Sequence, residues 1–145
     1  MQNSPHRSTQ SPSLPEDSLG YALLAAAELV AEVGAGRTLT DALAALWDAR
    51  PATPSGVRGA ILDLAYSTLR RRVAMALIEI YHKFQNASSP GSVLEITRED
   101  VAHYVGTATE SLIRTITDFK SEGIVDIISG KIRINNISKL ENLYY

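Results

Sequence analysis

The chain has 145 residues, of which 45% are hydrophobic and 21% charged, with a net charge of −2 and no cysteine. This length and composition allow one ordinary hydrophobic core or two small ones. No apolar run approaches the ~20 residues that a membrane-spanning helix needs. The lack of cysteine excludes a cysteine-held iron–sulfur cluster, and it is typical of a cytoplasmic protein, which is the location we expect.

The first residues differ in composition from the rest. Residues 1–17 are rich in Ser, Pro and Gln and poor in apolar residues, which predicts a disordered tail. They contain no long apolar core of the kind found in signal peptides. The Ala- and Leu-rich segment that follows predicts a helix over residues 19–33, which the Gly-Ala-Gly sequence at residues 34–36 ends.

Two further helices are predicted before the middle of the chain. Thr38 and Asp41 have the spacing of a helix cap, and the helix that they begin should end near Ala49. The next helix should start after Pro54, with Ser55 as its cap.

This helical region contains the segments LLAAAELVAEVGAGRTLTDALAALW and RGAILDLAYSTLRR. They resemble the opening of the NusB-like RNA-binding domain of bacterial ribosomal RNA cytosine methyltransferases. The resemblance spans residues 18–71 and implies a helical fragment with an RNA-binding ancestry. Attack on carbon 5 of cytosine needs a cysteine nucleophile, which this chain lacks. We therefore expect no methyltransferase activity and, more generally, no enzyme.

A regular alternation of apolar residues continues across the middle of the chain and predicts one helix over residues 56–84, on the order of 40 Å long at ~1.5 Å per residue. The stripe consists of Leu62, Tyr66, Leu69, Val73, Ala76, Ile80 and Phe84. Such spacing is typical either of a coiled-coil contact with a second copy or of packing within the chain. Internal packing is favoured for the first half of the stripe, and the second half is left open.

Residues 97–123, TREDVAHYVGTATESLIRTITDFKSEG, have the spacing of a helix-turn-helix. Thr97 and Asp100 match a capping box at the start of its first helix. The buried stripe of that helix should consist of Val101, Ala102 and Val105. Gly106 stands at the turn, where a left-handed backbone favours glycine, and Thr107 follows as the expected cap of the second helix.

The second helix should bury Leu112, Ile116 and Phe119 and expose polar residues. The exposed set is predicted to be Thr109, Glu110, Ser111, Arg114 and Lys120. After residues 122–123, the β-branched runs at residues 124–128 and 131–134 are joined by Ser-Gly, which predicts a β-hairpin wing.

These motifs recur in the order and at the separations seen in one family of regulators. The landmarks are VAMALIEIYHKF, LEITRED, YVGTA, TESLIR, DFKSEGIV and SGKIRI. Residues 72–145 resemble the C-terminal winged-helix domain of the Crp/Fnr family of bacterial transcription regulators. The resemblance implies double-stranded DNA as the partner. No eight-stranded sensor barrel for a cyclic nucleotide is predicted ahead of residue 73, so we expect no such cofactor.

The resemblance also implies which residues contact DNA. Glu110 and Arg114 match positions that contact base edges, and Thr109 stands where the family often has a second arginine. An Arg binds guanine N7 and O6 with two hydrogen bonds, and a Glu accepts one from cytosine N4. The positions expected at phosphates are Arg98, Thr107, Ser111, Ser129 and Lys131. A metal site is not expected, because the three histidines share no ligand spacing.

The sequence therefore predicts a mainly α protein with a small β wing: an N-terminal helical segment, a long connecting helix and a C-terminal winged helix-turn-helix. The leading function is sequence-specific DNA binding in transcription regulation, for which tight binding would require a dimer on paired half-sites. Two alternatives stay open. One is an RNA-binding module of NusB-like type, and the other is an antitoxin-like or inhibitor module with a protein partner. The protein-partner alternative gains weight because residues 73–145 hold seven basic and nine acidic residues, whereas DNA binders are usually basic.

Overall fold

The computed structural model describes residues 14–85 and 96–144 and has the predicted, mainly helical architecture with one small antiparallel sheet. The elements in chain order are α1 (Leu19–Gly34), α2 (Leu39–Ala49), α3 (Ser55–Gln85), α4 (Arg98–Val105), α5 (Thr109–Ser121), β1 (Val125–Ile128), β2 (Lys131–Ile134) and α6 (Ile137–Asn142). Most of the predicted tail and the start of LEITRED lie outside the described residues. At residues 14–17 the chain forms a turn, in which the carbonyl of Pro15 accepts hydrogen bonds from Ser18.

Short-range hydrogen bonds define the first helices. The side chain of Ser18 accepts from the backbone of Tyr21 at the start of α1. The predicted cap of α2 is confirmed, because Thr38 Oγ1 accepts from the backbone N–H of Asp41 at 3.1 Å. The prediction for the third helix is displaced by one residue: Ser55 is the first helical residue of α3 rather than its cap.

The long helix α3 belongs to two hydrophobic cores. Its first half packs with α1 and α2 through Ile61, Ala65 and Leu69. Its second half, including Val73 and Leu77, packs with α4, α5, the hairpin and α6. In the part of the stripe that the sequence left open, Val73, Ala76 and Ile80 are thus packed within the chain.

The predicted stripe is wrong at its two ends. Leu62 and Phe84 are 37% and 47% exposed, whereas Ile61 is fully buried. The buried positions from Ile61 to Leu77 instead recur every four residues, and each such step advances about 40° around a helix of 3.6 residues per turn. The buried face therefore rotates as α3 passes from one core to the other, which a fixed heptad pattern does not describe.

Polar contacts connect α3 to α5 across the two parts of the chain. The hydroxyl of Tyr66 donates to the carboxylate of Asp118, and Arg70 Nη2 lies 2.9 Å from Glu122 Oε1. The guanidinium of Arg70 also lies over the ring of Phe119, 4.9 Å from its centroid. Burial, together with the hydrogen bond to Asp118, raises the pKa of Tyr66 to about 12.

The raised pKa of Tyr66 predicts a specific pH dependence of stability. Because the folded pKa lies above the ordinary value of 10.0, the stabilisation is complete below pH 10 and is lost as the pH rises through 12. We expect the stability of the wild type to fall more steeply over this range than that of Tyr66→Phe. Urea unfolding at a series of pH values measures how the free energy of unfolding depends on pH in each protein. An equal dependence in the two proteins would contradict the raised pKa of Tyr66.

In the part of the chain that the structure describes, no helix is both long and apolar enough to cross a bilayer. The longest helix, α3, has 31 residues, and Arg70, Arg71 and Arg72 lie at its centre.

Candidate nucleic-acid interface

The predicted helix-turn-helix is present as α4 and α5. Thr97 and Asp100 form the predicted capping box: Thr97 Oγ1 accepts from the N–H of Asp100, and the carboxylate of Asp100 accepts from the N–H of Thr97. At the other end of α4, Gly106 has the left-handed backbone expected at the turn, with φ of 67°.

Removal of this cap should destabilise the helix-turn-helix locally. We expect Thr97→Ala to lower the free energy of unfolding by about 1 kcal/mol, because the N–H of Asp100 loses its acceptor. Chemical denaturation followed by circular dichroism measures the change. As a control, Thr117→Ala on the exposed face of α5 removes a hydroxyl that bonds only to the carbonyl of Ile113. If the two variants lose equal amounts of unfolding free energy, a capping role for Thr97 is contradicted.

Thr107 does not cap α5 as predicted. The cap position is held by Ala108, which supplies no side-chain hydrogen bond. The reason is that the N–H of Thr107 bonds to the carbonyl of Ala102, so Thr107 belongs to the closing turn of α4 and α5 starts one residue later. Thr107 Oγ1 is buried without a hydrogen-bond partner in the described structure.

The two faces of α5 differ in character. Leu112, Ile116 and Phe119 are fully buried, as predicted. Glu110 and Arg114 lie on the exposed face, one helical turn apart. Within the described residues neither side chain forms an ion pair or a hydrogen bond, so both are open to a ligand.

The prediction that the whole polar set of α5 is exposed is wrong for two residues. Thr109 and Ser111 are half-buried. The N-terminal part of the chain lies beside both: the backbone N–H of Leu39, at the start of α2, donates to Ser111 Oγ at 3.2 Å, and Thr109 lines a cleft that it shares with Gly34 and Gly36. The hydrogen bond joins residues 72 positions apart, and no local sequence pattern predicts it.

The wing is a tight hairpin beside α4. Ser129 and Gly130 form its two-residue turn with φ of 50° and 79°, and β1 pairs with β2 in the register Ile128 to Lys131. Thr97 forms a bridge with Lys131. The start of α4 and the wing are therefore adjacent, and two predicted phosphate positions, Arg98 and Lys131, are brought to the same edge of the domain.

Other charges near the wing are already paired. The carboxylate of Asp126 lies 3.6 Å from Lys120 Nζ and 3.5 Å from Arg133 Nη2. The backbone N–H of Ile127 and these cations hold the pKa of Asp126 below its ordinary value. Lys120 and Arg133 are thus partly neutralised, and Arg114 remains the exposed cation of α5 without such a partner.

The described residues contain no group of three or more His, Asp or Glu side chains placed to hold a metal ion. The candidate interface consists of the polar and charged side chains on α4, α5 and the wing.

Comparisons with known proteins gave one family match and one structural similarity. Residues 71–143 match the sequence model of the Crp-like helix-turn-helix domain. Among solved structures, FixK2 from Bradyrhizobium japonicum matches over 73% of this chain at 22% identity and a TM-score of 0.45, and this chain covers 53% of that structure's length. No curated protein matches. The NusB-like resemblance of residues 18–71 has no support from these comparisons, since the family match begins at residue 71.

Proposed function

Because the chain belongs to the family of the Crp-like helix-turn-helix domain, we propose that it binds double-stranded DNA sequence-specifically and regulates transcription. The observation that supports this proposal most directly is the exposed face of α5, where Glu110 and Arg114 have no partner within the described structure. In the major groove, such a pair can contact a guanine and a neighbouring cytosine.

Two basic positions flank this face. Arg98 at the start of α4 and Lys131 in the wing lie at one edge of the domain, where cations would contact the phosphates of a duplex held against α5. Phosphate contacts of this kind fix the position of the protein on DNA without selecting a sequence. Ser129, at the tip of the wing, is the third member of this edge.

The net negative charge of residues 73–145 opposes DNA binding less than the count of seven basic and nine acidic residues suggests. Arg70 pairs with Glu122 and lies 3.9 Å from Asp118, so one cation of α3 partly offsets the charge of these two carboxylates. Inclusion of residues 70–72 raises the basic count from seven to ten. A single domain with so few free cations should bind weakly, and we therefore propose a homodimer on two half-sites about one helical turn apart.

The test is selection from a random duplex library and, in parallel, from structured RNA, at near-physiological salt. We expect enrichment of a two-fold symmetric DNA site. Enrichment of RNA without DNA would overturn the proposal and favour the RNA-binding alternative. If neither pool is enriched, DNA recognition is excluded and the protein-partner alternative takes its place.

A further inference from the structure

The corner between α1 and α2, defined here as residues 34–39, lies against the helix-turn-helix. At one end, a β-carbon added to Gly34 would lie 3.7 Å from the carbonyl oxygen of Gly106. At the other end, the N–H of Leu39 donates to Ser111 Oγ. The corner therefore touches both the turn before α5 and the first turn of α5 itself.

The hydrogen bond from Leu39 is informative because of its position in α2. Leu39 is the first residue of α2, and the first N–H groups of a helix have no acceptor within the helix. Ser111 Oγ is the acceptor that the structure gives it. A serine hydroxyl can accept from an N–H and still donate its own proton, so this bond does not occupy the donor of Ser111. It does hold the corner beside Ser111, one of the positions at which we expect a DNA phosphate, so the corner and the DNA backbone compete for the space there.

The charges in and around the corner are mixed rather than basic. Arg37, the charged residue within it, is paired with Glu32 at 3.0 Å. Asp41 lies in the first turn of α2 and is exposed, and its carboxylate accepts from Thr38 Oγ1 at 2.9 Å. Glu99 lines the cleft between the corner and the helix-turn-helix. A phosphate that approaches Ser111 from this side meets carboxylates, which repel it.

The contact between the corner and the helix-turn-helix is also incompletely packed. A cleft of about 460 Å³, lined by Gly34, Gly36, Thr107 and Thr109 among others, separates the two. The hydroxyl of Thr107 beside it has no partner. The direct contact between the corner and the helix-turn-helix is therefore loose, although Leu39 itself is buried in the N-terminal core.

From these observations we infer that the α1–α2 corner is an autoinhibitory cover on the Ser111 edge of the DNA-binding face, and that full-affinity DNA binding requires Leu39 to release Ser111. This inference rests on the proposed DNA-binding function. It assigns to the N-terminal helices a regulatory role that the helix-turn-helix match alone does not supply.

The test is a matched pair of substitutions at one position. Leu39→Pro removes the N–H donor, and proline is well accommodated at the first position of a helix. The preceding residue, Thr38, already has the extended backbone that a following proline requires, with φ of −66° and ψ of 152°. Leu39→Ala is the control, because it also loses the buried leucine side chain but keeps the N–H.

The probe is the duplex enriched from the random library, labelled with a fluorophore. We expect Leu39→Pro to bind it about tenfold more tightly than Leu39→Ala. Equal affinity of the two variants, or weaker binding by the proline variant, would contradict the autoinhibitory role of the corner without contradicting DNA binding. If the wild type and both variants fail to bind any duplex, the proposed function itself fails, and the inference fails with it.

A measurement on the unmodified chain avoids any effect of substitution on folding. In the free protein the amide proton of Leu39 should exchange slowly with solvent, because Ser111 is its acceptor. On addition of the enriched duplex, we expect its exchange rate to rise at least tenfold, as followed by nuclear magnetic resonance. Unchanged protection in the complex would show that the corner stays in place and would overturn the inference.

Discussion

Phe119→Ala should cost about 4 kcal/mol of unfolding free energy, the largest effect expected for a single substitution in this chain. Phe119 is fully buried in the core that joins α3, α4, α5 and the hairpin, and its ring also lies beneath the guanidinium of Arg70. Truncation removes the ring from both contacts and leaves a cavity that a close-packed core fills only in part. Since small proteins are stable by roughly 5–15 kcal/mol, this loss is a large fraction of the total.

Thermal and urea unfolding, monitored by circular dichroism, measure the loss. Ile113→Ala is the matched control, because it truncates a large apolar residue on the same helix that is 38% exposed. We expect the control to change the free energy of unfolding by less than about 0.5 kcal/mol. A Phe119→Ala variant that resembles this control would contradict the packing of α5 against α3.

The parts of the fold that the sequence predicted depend on neighbours within one or two helical turns. The capping box of Thr97 and Asp100, the left-handed Gly106 and the Ser-Gly turn of the wing each follow from local backbone chemistry. All three are present as predicted. Amphipathic spacing likewise identified the buried face of α5, because a helix of 13 residues is too short for the pattern to drift.

The parts that the sequence did not predict depend on contacts between distant residues. Tyr66 with Asp118, Arg70 with Glu122, and Leu39 with Ser111 each join the N-terminal part of the chain to α5. Polar residues at such separations leave no periodic signal. Arg70 and Arg72 likewise contact distant parts of the chain, Glu122 and the carbonyl of Val105, for which no local pattern gives a signal.

The short helix α6 was not predicted either. It has only six residues, fewer than two helical turns, so its apolar spacing is too brief to separate from a loop. Its place in the fold is set by tertiary packing, because Leu140 is fully buried in the C-terminal core. The side chain of Asn136 caps it by accepting from the N–H of Lys139 at 3.0 Å.

Arg114→Ala should weaken binding to the enriched duplex by roughly 10- to 100-fold for each copy of the domain, because the proposed pair of hydrogen bonds to one guanine would be lost. In a dimer the loss occurs at both half-sites. The effect should be confined to the preferred sequence, so the variant is expected to bind specific and random duplexes with similar affinity. Fluorescence anisotropy with the specific and the random duplex measures the ratio of the two affinities, which is the specificity ratio.

Two further substitutions separate base recognition from charge. Lys120→Ala removes a cation of α5 that is paired with Asp126, and it should leave the specificity ratio unchanged. Arg98→Ala, at a predicted phosphate contact, should weaken binding to both duplexes alike and reduce the dependence of the binding constant on salt by about one ion. If Arg114→Ala instead behaves like Arg98→Ala, Arg114 contacts the backbone, and base recognition must come from Glu110 or from the shape of the duplex.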